Sequence, residues 1–223
     1  MKYLVIIPAF NEAANLSSVV KGALRVTSDV LVVDDGSTDA TGAVLKDLGV
    51  TAIRQRHTGK GGALKAGFKY ALENNYDWII TMDGDGQHDH REIPLFTDKM
   101  QANGTDMIIG SRMSDTQEMP FMRLMANRFM SRLISSMIGQ SVPDTQCGFR
   151  AINCRVVNKL TLETSHYDTE SEILIKAAIA GFNISSVPVR TIYNGASSSI
   201  NRTMDTVRFI KLLRKTRTRP GMA

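Results

Sequence analysis

The chain has 223 residues, a formal net charge of +5, and 43% hydrophobic and 22% charged residues. This length suits one large α/β domain or two small ones, and we expect a single domain over residues 1–223. Only 6% of the residues are aromatic and no zinc-finger or RNA-recognition motif occurs, so we do not expect nucleic acid as a partner.

The first half of the sequence alternates short apolar runs with amphipathic segments. Four runs have the pattern of strands buried on both faces, at residues 3–7, 30–33, 78–82 and 106–109. Between them, apolar residues recur at helical spacing, as from Leu16 to Leu24 and from Leu64 to Leu72, and a further strand is expected near Ala52. The alternation predicts an α/β fold with a mostly parallel sheet flanked by helices. Ligands of such sheets bind beyond the carboxyl ends of the strands.

The pattern changes after Gly110, where a Met-rich stretch at residues 119–138 is interrupted by arginines. Short strands are then expected at 149–152 and 187–193, with a helix at 170–180 between them. These elements predict a small antiparallel part beside the main sheet.

Within the one domain we distinguish three parts. No Pro- or Ser-rich linker and no internal repeat separates them. They are a first half at 1–110, a second half at 111–200 and a basic amphipathic tail at 201–223.

Two acidic clusters follow predicted core strands: Asp34 with Asp35, and Asp83 with Asp85. A hard divalent cation such as Mg²⁺ or Mn²⁺ prefers oxygen ligands and often shares them with substrate phosphates. An Asp-x-Asp pair can therefore hold a nucleotide diphosphate through a metal. Asp is also a common turn residue after a strand, so either cluster alone leaves a structural role open. Lys60 in the glycine-rich turn either reaches a diphosphate or is a solvated turn residue.

Seven short motifs occur in order along the chain: PAFNE at 8–12, VDDGS at 33–37, GKG at 59–61, DGDGQH at 83–88, GSR at 110–112, DTQCGFR at 144–150 and DTE at 168–170. Together they resemble the family 2 glycosyltransferases of the GT-A fold, and within that family the polyprenyl-phosphate glycosyltransferases typified by dolichol-phosphate mannose synthase. The resemblance covers essentially the whole chain.

This resemblance implies that residues 1–110 are the nucleotide-sugar-binding half and residues 111–200 the acceptor half, and it implies roles for individual positions. The nucleotide sugar would be bound by Pro8, Phe10, Glu12, Asp34 and Asp83, to which we add Lys60. The metal ligands would be Asp85 and Gln87. The acceptor phosphate would be held by Arg112 and Arg123, with Asn127 at a position where the family has a Ser. The residues expected to act in catalysis are Asp85, Arg112, Arg123 and Asp144, although Asp144 could also cap the turn before Phe149.

The leading hypothesis is a metal-dependent, inverting transfer of mannose or glucose from a GDP- or UDP-sugar to polyprenyl phosphate. Two alternatives stay open. The first is a family 2 glycosyltransferase with a soluble saccharide or protein acceptor. The second is a non-catalytic α/β module that binds a nucleotide or a metal.

A membrane surface is the other expected partner. Residues 202–219 contain seven Lys or Arg and one acid, and such a segment suits an anionic surface. The stretch at 119–138 is also basic and amphipathic, and for both segments packing on the domain is the alternative. Because Cys147 and Cys154 do not form a C-x-x-C pair and no apolar run is long enough to span a bilayer, we expect a cytoplasmic protein at the inner face of the membrane.

Overall fold

The computed structural model describes residues 1–102, 104–117 and 119–192, so the predicted basic tail lies outside the described residues. Within them, seven strands form one sheet: β1 (Tyr3–Ala9), β2 (Val30–Asp34), β3 (Thr51–Arg54), β4 (Trp78–Thr81), β5 (Met107–Ser111), β6 (Arg150–Asn153) and β7 (Ile184–Pro188). The helices are α1 (Ala13–Leu24), α2 (Thr41–Leu48), α3 (Lys60–Glu73), α4 (Ile93–Gln101), α5 (Phe121–Ile138), α6 (Cys154–Lys159) and α7 (Asp168–Ile179).

The sheet has the order β3-β2-β1-β4-β6-β5-β7 and is mostly parallel. Strand β6 is antiparallel to both of its neighbours, β4 and β5. The predicted α/β fold with a small antiparallel part is therefore confirmed. Because β6 runs the other way, its first residue, Arg150, pairs with Thr81 and Ile109 near the carboxyl ends of β4 and β5.

The continuous apolar runs form the centre of the core. Every residue of β2, β4 and β5 is buried, as expected for strands covered on both faces. The side chains of Leu16, Val20 and Ala23 on α1, and of Leu64 and Phe68 on α3, are also buried. This packing fixes the strand ends, and the loops that follow them carry the candidate site.

Strand β7 differs in position from the strand predicted at 187–193. It begins earlier, at Ile184, and ends at Pro188. Its serines, Ser185 and Ser186, break the apolar pattern on which the prediction relied. The strand ends at Pro188 because proline lacks the N–H needed to extend a ladder. None of the helices in the described part of the chain is long and apolar enough to cross a membrane.

Candidate active site

The two aspartates after β2 have different surroundings although they are adjacent in sequence. Asp35 is buried and accepts hydrogen bonds from the backbone N–H groups of Thr58 (3.0 Å) and Gly59 (2.7 Å) and from the side chain of Gln55 (2.7 Å). It therefore builds the turn that leads into α3. Sequence reasoning assigned no such role to Asp35.

Asp34 has one carboxylate oxygen engaged and one without a hydrogen bond. Its Oδ1 accepts from the backbone N–H of Ser37 (2.9 Å), whereas the buried Oδ2 has no hydrogen-bond partner among the described residues. The Nε of Arg54 lies 3.5 Å from Oδ2. A buried acceptor without a hydrogen bond is costly unless a ligand donor supplies one. Asp34 thus suits contact with a bound hydroxyl or N–H group.

Aromatic surface lies beside these aspartates. Phe10 is 41% exposed and its ring stacks on that of His57, with centroids 4.0 Å apart. The Nδ1 of His57 lies 2.9 Å from Asp35 Oδ2, so Asp35 also positions this ring. Pro8 is buried in β1, two residues before Phe10. The stacked pair offers a planar surface at the strand ends, and sequence reasoning missed His57.

A partly buried lysine links the loop after β4 to helix α7. The Nζ of Lys60 lies 2.6 Å from Asp83 Oδ1 and 3.2 Å from Glu170 Oε1. Burial by itself would lower the pKa of Lys60, but the charges of Asp83 and Glu170 outweigh it and raise the pKa above its ordinary value. Burial would likewise raise the pKa of Asp83, but the charge and hydrogen bond of Lys60 help to hold that pKa below the ordinary range. We call Lys60, Asp83 and Glu170 the lysine cluster.

Glycines allow two loops to approach the lysine cluster. A Cβ atom on Gly148 would lie 2.9 Å from each of Asp83 Oδ2, Glu170 Oε1 and Lys60 Nζ. A Cβ on Gly61 would overlap the side chain of Thr169. Glycine at these positions lets the loop before β6 and the start of α7 pack directly on the cluster. Glu170 was part of a sequence motif but was not assigned a role from sequence.

The predicted metal ligands, Asp85 and Gln87, lie in one tight turn after Asp83. The backbone N–H of Gln87 donates to Asp85 Oδ1 (2.9 Å). His88 follows them, buried, with its Nδ1 accepting from the backbone N–H of Asp83 (3.1 Å). Glu12 belongs to the same acidic group. Its pKa is raised by burial and then by the negative charges of Asp85 and Asp83.

In the described part of the chain, no group of three or more His, Cys, Asp or Glu is placed to hold a metal. The carboxylates of Asp83 and Asp85 nevertheless repel that of Glu12, and a bound cation would reduce this repulsion. Asp85 and Gln87 supply the hard oxygen atoms that Mg²⁺ and Mn²⁺ prefer, and these ions commonly complete their coordination with phosphate oxygens and water. The residues present therefore fit a divalent ion shared with a diphosphate.

A second charged cluster lies at the end of β5. The guanidinium of Arg112 makes two hydrogen bonds to Asp144, Nε to Oδ2 (2.7 Å) and Nη2 to Oδ1 (2.9 Å). The side-chain amide of Asn127 on α5 also donates to Asp144 Oδ1 (2.8 Å). All three residues are buried. We call Arg112, Asn127 and Asp144 the arginine cluster.

Asp144 accepts five hydrogen bonds, because the backbone N–H groups of Arg112 and Gln146 also point to its carboxylate. Burial would raise its pKa, but Arg112 and Asn127 hold the pKa below the ordinary value. A carboxylate so fully engaged is a weak proton acceptor. Its geometry is that of a residue that positions Arg112.

Arg123 is the one predicted acceptor residue that the structure does not tie to this cluster. It is half-buried on α5, one turn before Asn127, and no hydrogen bond from it to Asp144 is present among the described residues. The structure thus brings Arg112, Asn127 and Asp144 together and places Arg123 near them on the same helix.

The loop from Asp144 to Arg150 connects the two clusters. Arg150 is fully buried and donates to three backbone carbonyls, those of Cys147 (2.7 Å), Thr145 (2.8 Å) and Glu170 (2.6 Å). It therefore fastens this loop to the first turn of α7. Sequence reasoning noted Arg150 only as the end of a motif, since a single Arg gives no sign that it will be buried.

The amino-acid sequence matches the glycosyl transferase family 2 model over residues 4–161. It is 32% identical to the UDP-N-acetylglucosamine–dolichyl-phosphate N-acetylglucosaminyltransferase of Methanococcus voltae, over 85% of this chain and 85% of that protein. It is 31% identical to the polyprenol monophosphomannose synthase of Mycolicibacterium smegmatis, over 83% of this chain and 76% of that protein. The fold is similar to glucosyl-3-phosphoglycerate synthase from Mycobacterium tuberculosis, crystallised with Mn²⁺, uridine diphosphate and phosphoglyceric acid, with a TM-score of 0.72 and 19% identity over 99% of this chain and 80% of that one.

Proposed function

Because the chain belongs to glycosyltransferase family 2, we propose that it transfers a hexose from a nucleotide-diphosphate sugar to the phosphate of a polyprenyl phosphate. The observation that carries this proposal is the pair of charged clusters joined by one loop. Asp144 at the start of that loop holds Arg112, and Gly148 within it lies against Lys60, Asp83 and Glu170. Two anionic substrates need two such sites, placed side by side.

The donor is assigned to the strand ends of β1, β2 and β4. The Oδ2 of Asp34 has Arg54 at ion-pair distance but no hydrogen bond from the described residues, so it suits a ribose hydroxyl or a base N–H. The Phe10 ring with His57 suits the face of the base. Pro8 and Glu12 border this region, and Lys60 with Asp83 faces the diphosphate. The positive charge of Lys60 partly offsets the repulsion between the carboxylates and the donor phosphates.

Asp85 and Gln87 would hold Mg²⁺ or Mn²⁺. When bound, the ion would neutralise negative charge that develops on the departing nucleotide diphosphate. The acidic residues around it fit such an ion, because the pKa of Glu12 is raised by burial and further by the negative charges of Asp85 and Asp83, which a cation would offset.

The acceptor phosphate is assigned to Arg112, Arg123 and Asn127. A phosphate brought near an anionic donor must be oriented and its charge compensated, and guanidinium groups serve both purposes. Asp144 keeps Arg112 in one orientation through two side-chain hydrogen bonds. We therefore assign Asp144 to positioning and reserve direct substrate contact for the arginines.

The acceptor needs little activation in this scheme, because a phosphate monoester is already ionised near neutral pH. One oxygen of the acceptor phosphate attacks the anomeric carbon of the sugar. The bond between that carbon and the diphosphate oxygen of the donor breaks, and the nucleotide diphosphate leaves. Direct attack from the opposite side inverts the anomeric configuration. The products are a sugar linked to the lipid phosphate and a free nucleotide diphosphate.

The names of the relatives support the acceptor class. The Methanococcus voltae protein is named for transfer to dolichyl phosphate and the Mycolicibacterium smegmatis protein for synthesis of polyprenol monophosphomannose. A lipid acceptor places the reaction at a membrane surface, and we propose peripheral association with the cytoplasmic face.

A donor panel tests the proposal. Purified protein would be incubated with a short, water-soluble polyprenyl phosphate and GDP-mannose, UDP-glucose or UDP-N-acetylglucosamine, with and without a chelator. We expect one donor to yield a lipid-linked sugar and the chelator to abolish the product. Transfer to a soluble saccharide or a phosphorylated small molecule, without transfer to the lipid, would contradict the acceptor assignment. Absence of any nucleotide-sugar binding would contradict the enzyme assignment.

A further inference from the structure

Helix α5 presents large apolar side chains to solvent. Phe121, Met122 and Phe129 are 71%, 75% and 66% exposed, the highest values among the large hydrophobic residues described, and Met125 is 46% exposed. We call these four residues the α5 apolar patch. Exposed apolar side chains scattered singly are normal, but a cluster on one helix marks an interaction surface.

The patch lies on the side of α5 opposite its buried face. Successive residues of an α-helix are rotated by about 100°, so the four patch residues fall within a sector of about 100°. The buried residues, Asn127, Ser131 and Ile134, occupy the opposite side. Two of these three are polar, and their side chains bond inside the domain. Around the patch the helix therefore turns Asn127 inward and its largest apolar side chains outward, the reverse of an ordinary surface helix, whereas farther along Met130, Leu133 and Ile134 pack against the core.

The charge of α5 is of one sign. The helix contains three arginines and no acidic residue. Arg128 and Arg132 are exposed; by the same rotation Arg128 lies at one edge of the patch, and Arg132 lies within its sector but beyond its last residue along the helix. An apolar strip bordered by cations matches a surface that is apolar below and anionic above.

We propose that the α5 apolar patch inserts into the surface of an anionic lipid bilayer, with Arg128 and Arg132 on the headgroup phosphates. This inference rests on the proposed function and adds the surface that would bring the enzyme to its acceptor. Amphipathic helices bury an apolar face about 5–10 Å into the boundary between headgroups and acyl chains.

Two other occupants fit the charges less well. A second copy of this chain would bring the arginines of one α5 against those of the other. The segment at 202–219, outside the described residues, would bring seven basic residues and one acid towards the same arginines. Like charges at close range oppose both contacts, whereas anionic lipid attracts the helix.

The position of the arginine cluster agrees with docking through α5. Asn127 reaches Asp144 from the inner side of the helix that carries the patch outside. A helix is about 10–12 Å across with its side chains, so docking would place Arg112 roughly one helix diameter from the bilayer surface. A polyprenyl phosphate keeps its tail in the membrane, and its phosphate lies at that surface.

Vesicle co-sedimentation of the full chain tests the proposal, with phosphatidylglycerol mixed into phosphatidylcholine and with phosphatidylcholine alone. The test variant is Phe121→Ser/Phe129→Ser, and the matched control is Leu24→Ser/Leu95→Ser, which removes two exposed leucines from α1 and α4. We expect the test variant to bind anionic vesicles roughly tenfold or more weakly for each side chain that inserts, and the control to bind like the wild type. Equal binding of both variants would overturn the proposal.

A spectroscopic test reads insertion directly and does not depend on affinity. Trp78 is the single tryptophan and is buried, so Phe129→Trp adds one reporter on the patch and Leu95→Trp adds one elsewhere. We expect brominated lipids to quench the emission of Phe129→Trp and not that of Leu95→Trp. Vesicle-bound Phe129→Trp that remains unquenched would show that another surface inserts.

Two further measurements distinguish the other occupants. If Lys211→Gln/Arg214→Gln in the tail abolishes vesicle binding while Phe121→Ser/Phe129→Ser does not, the tail is the anchor and the proposal fails. It also fails if Phe121→Ser/Phe129→Ser changes the oligomeric state in sedimentation velocity and leaves vesicle binding intact.

Activity assays separate this inference from the proposed function. The Phe121→Ser/Phe129→Ser variant should retain transfer to a short, water-soluble polyprenyl phosphate and lose transfer to a long-chain acceptor held in vesicles. If the wild type binds vesicles through the patch and transfers sugar to neither acceptor, the proposed function fails while the docking surface stands.

Discussion

The arginine cluster yields the sharpest prediction, the effect of Asp144→Asn. This change removes one charge and keeps the shape of the side chain. Asp144 is fully buried and Arg112 is nearly so, and five hydrogen bonds end on the carboxylate. Removal of one partner from a buried ion pair costs about 3–5 kcal/mol because the other charge stays buried without compensation. The new amide also places an N–H donor among groups that are themselves donors.

We therefore expect Asp144→Asn to lower the free energy of unfolding by about 3–5 kcal/mol in urea titrations at neutral pH. Asp106→Asn is the matched control, since Asp106 is also buried and pairs with Arg155 away from both clusters. Both variants should lose stability, but only Asp144→Asn should raise the KM for polyprenyl phosphate more than the KM for the donor. An unchanged free energy of unfolding, or an equal change in both KM values, would refute the reasoning.

The acid sensitivity of the pair gives a second measurement. The native-state pKa of Asp144 is below its ordinary value, so its contribution to stability is fully present above the unfolded pKa of about 3.9 and is lost as pH falls through the native pKa. The difference in stability between the wild type and Asp144→Asn should therefore shrink below about pH 4. A difference that stays constant to lower pH would show that the lost stability is not linked to protonation of Asp144.

Three further outcomes are expected. Asp85→Asn should reduce turnover roughly 10- to 100-fold at limiting Mg²⁺ or Mn²⁺, because one anionic oxygen ligand is lost. Asp98→Asn, a change at an exposed position, should leave turnover unchanged. A folded Asp85→Asn protein with normal metal dependence would contradict the ligand assignment. Gly148→Ala should weaken donor binding, measured by calorimetry, by about 1–3 kcal/mol, because the new Cβ would lie 2.9 Å from an atom of each residue in the lysine cluster. Gly42→Ala on α2 is the control and should leave donor binding unchanged. A Gly148→Ala protein that binds the donor like the wild type would show that the loop adapts without moving Asp83. Arg123→Ala should weaken use of the lipid phosphate by about 1.5–3 kcal/mol with donor affinity intact, and an equal loss of nucleotide binding in titrations would move Arg123 to the donor side.

The parallel half of the fold and the location of the acidic loops follow from local patterns in the amino-acid sequence. Strands such as β2, β4 and β5 are continuous apolar runs, and this signal is local because a strand buried on both faces needs apolar residues at every position. The carboxyl ends of parallel strands share one edge, so Asp34, Asp83 and Asp85 could be placed together without coordinates. The motif set then indicated the family.

Which charged groups bond within the protein and which remain for a ligand depends on contacts between distant parts of the folded chain. Asp34 and Asp35 are the same residue type in adjacent positions, yet Asp35 is fully used by the turn before α3, whereas the buried Oδ2 of Asp34 has no hydrogen bond within the described part of the chain. The pairings of Arg112 with Asp144 and of Lys60 with Glu170 join distant parts of the chain. They depend on the insertion of β6 between β4 and β5, which no local pattern encodes.

The orientation of α5 was also decided by packing and not by pattern. Its sequence mixes apolar residues with arginines at spacings that suit either a buried or an exposed apolar face. In the structure Asn127 and Ser131 face inward because Asp144 and Thr145 offer them buried hydrogen bonds, and this rotation leaves Phe121, Met122 and Phe129 outside. Helical periodicity fixes which residues share a face, but only the partners supplied by the rest of the fold determine which face is turned inward.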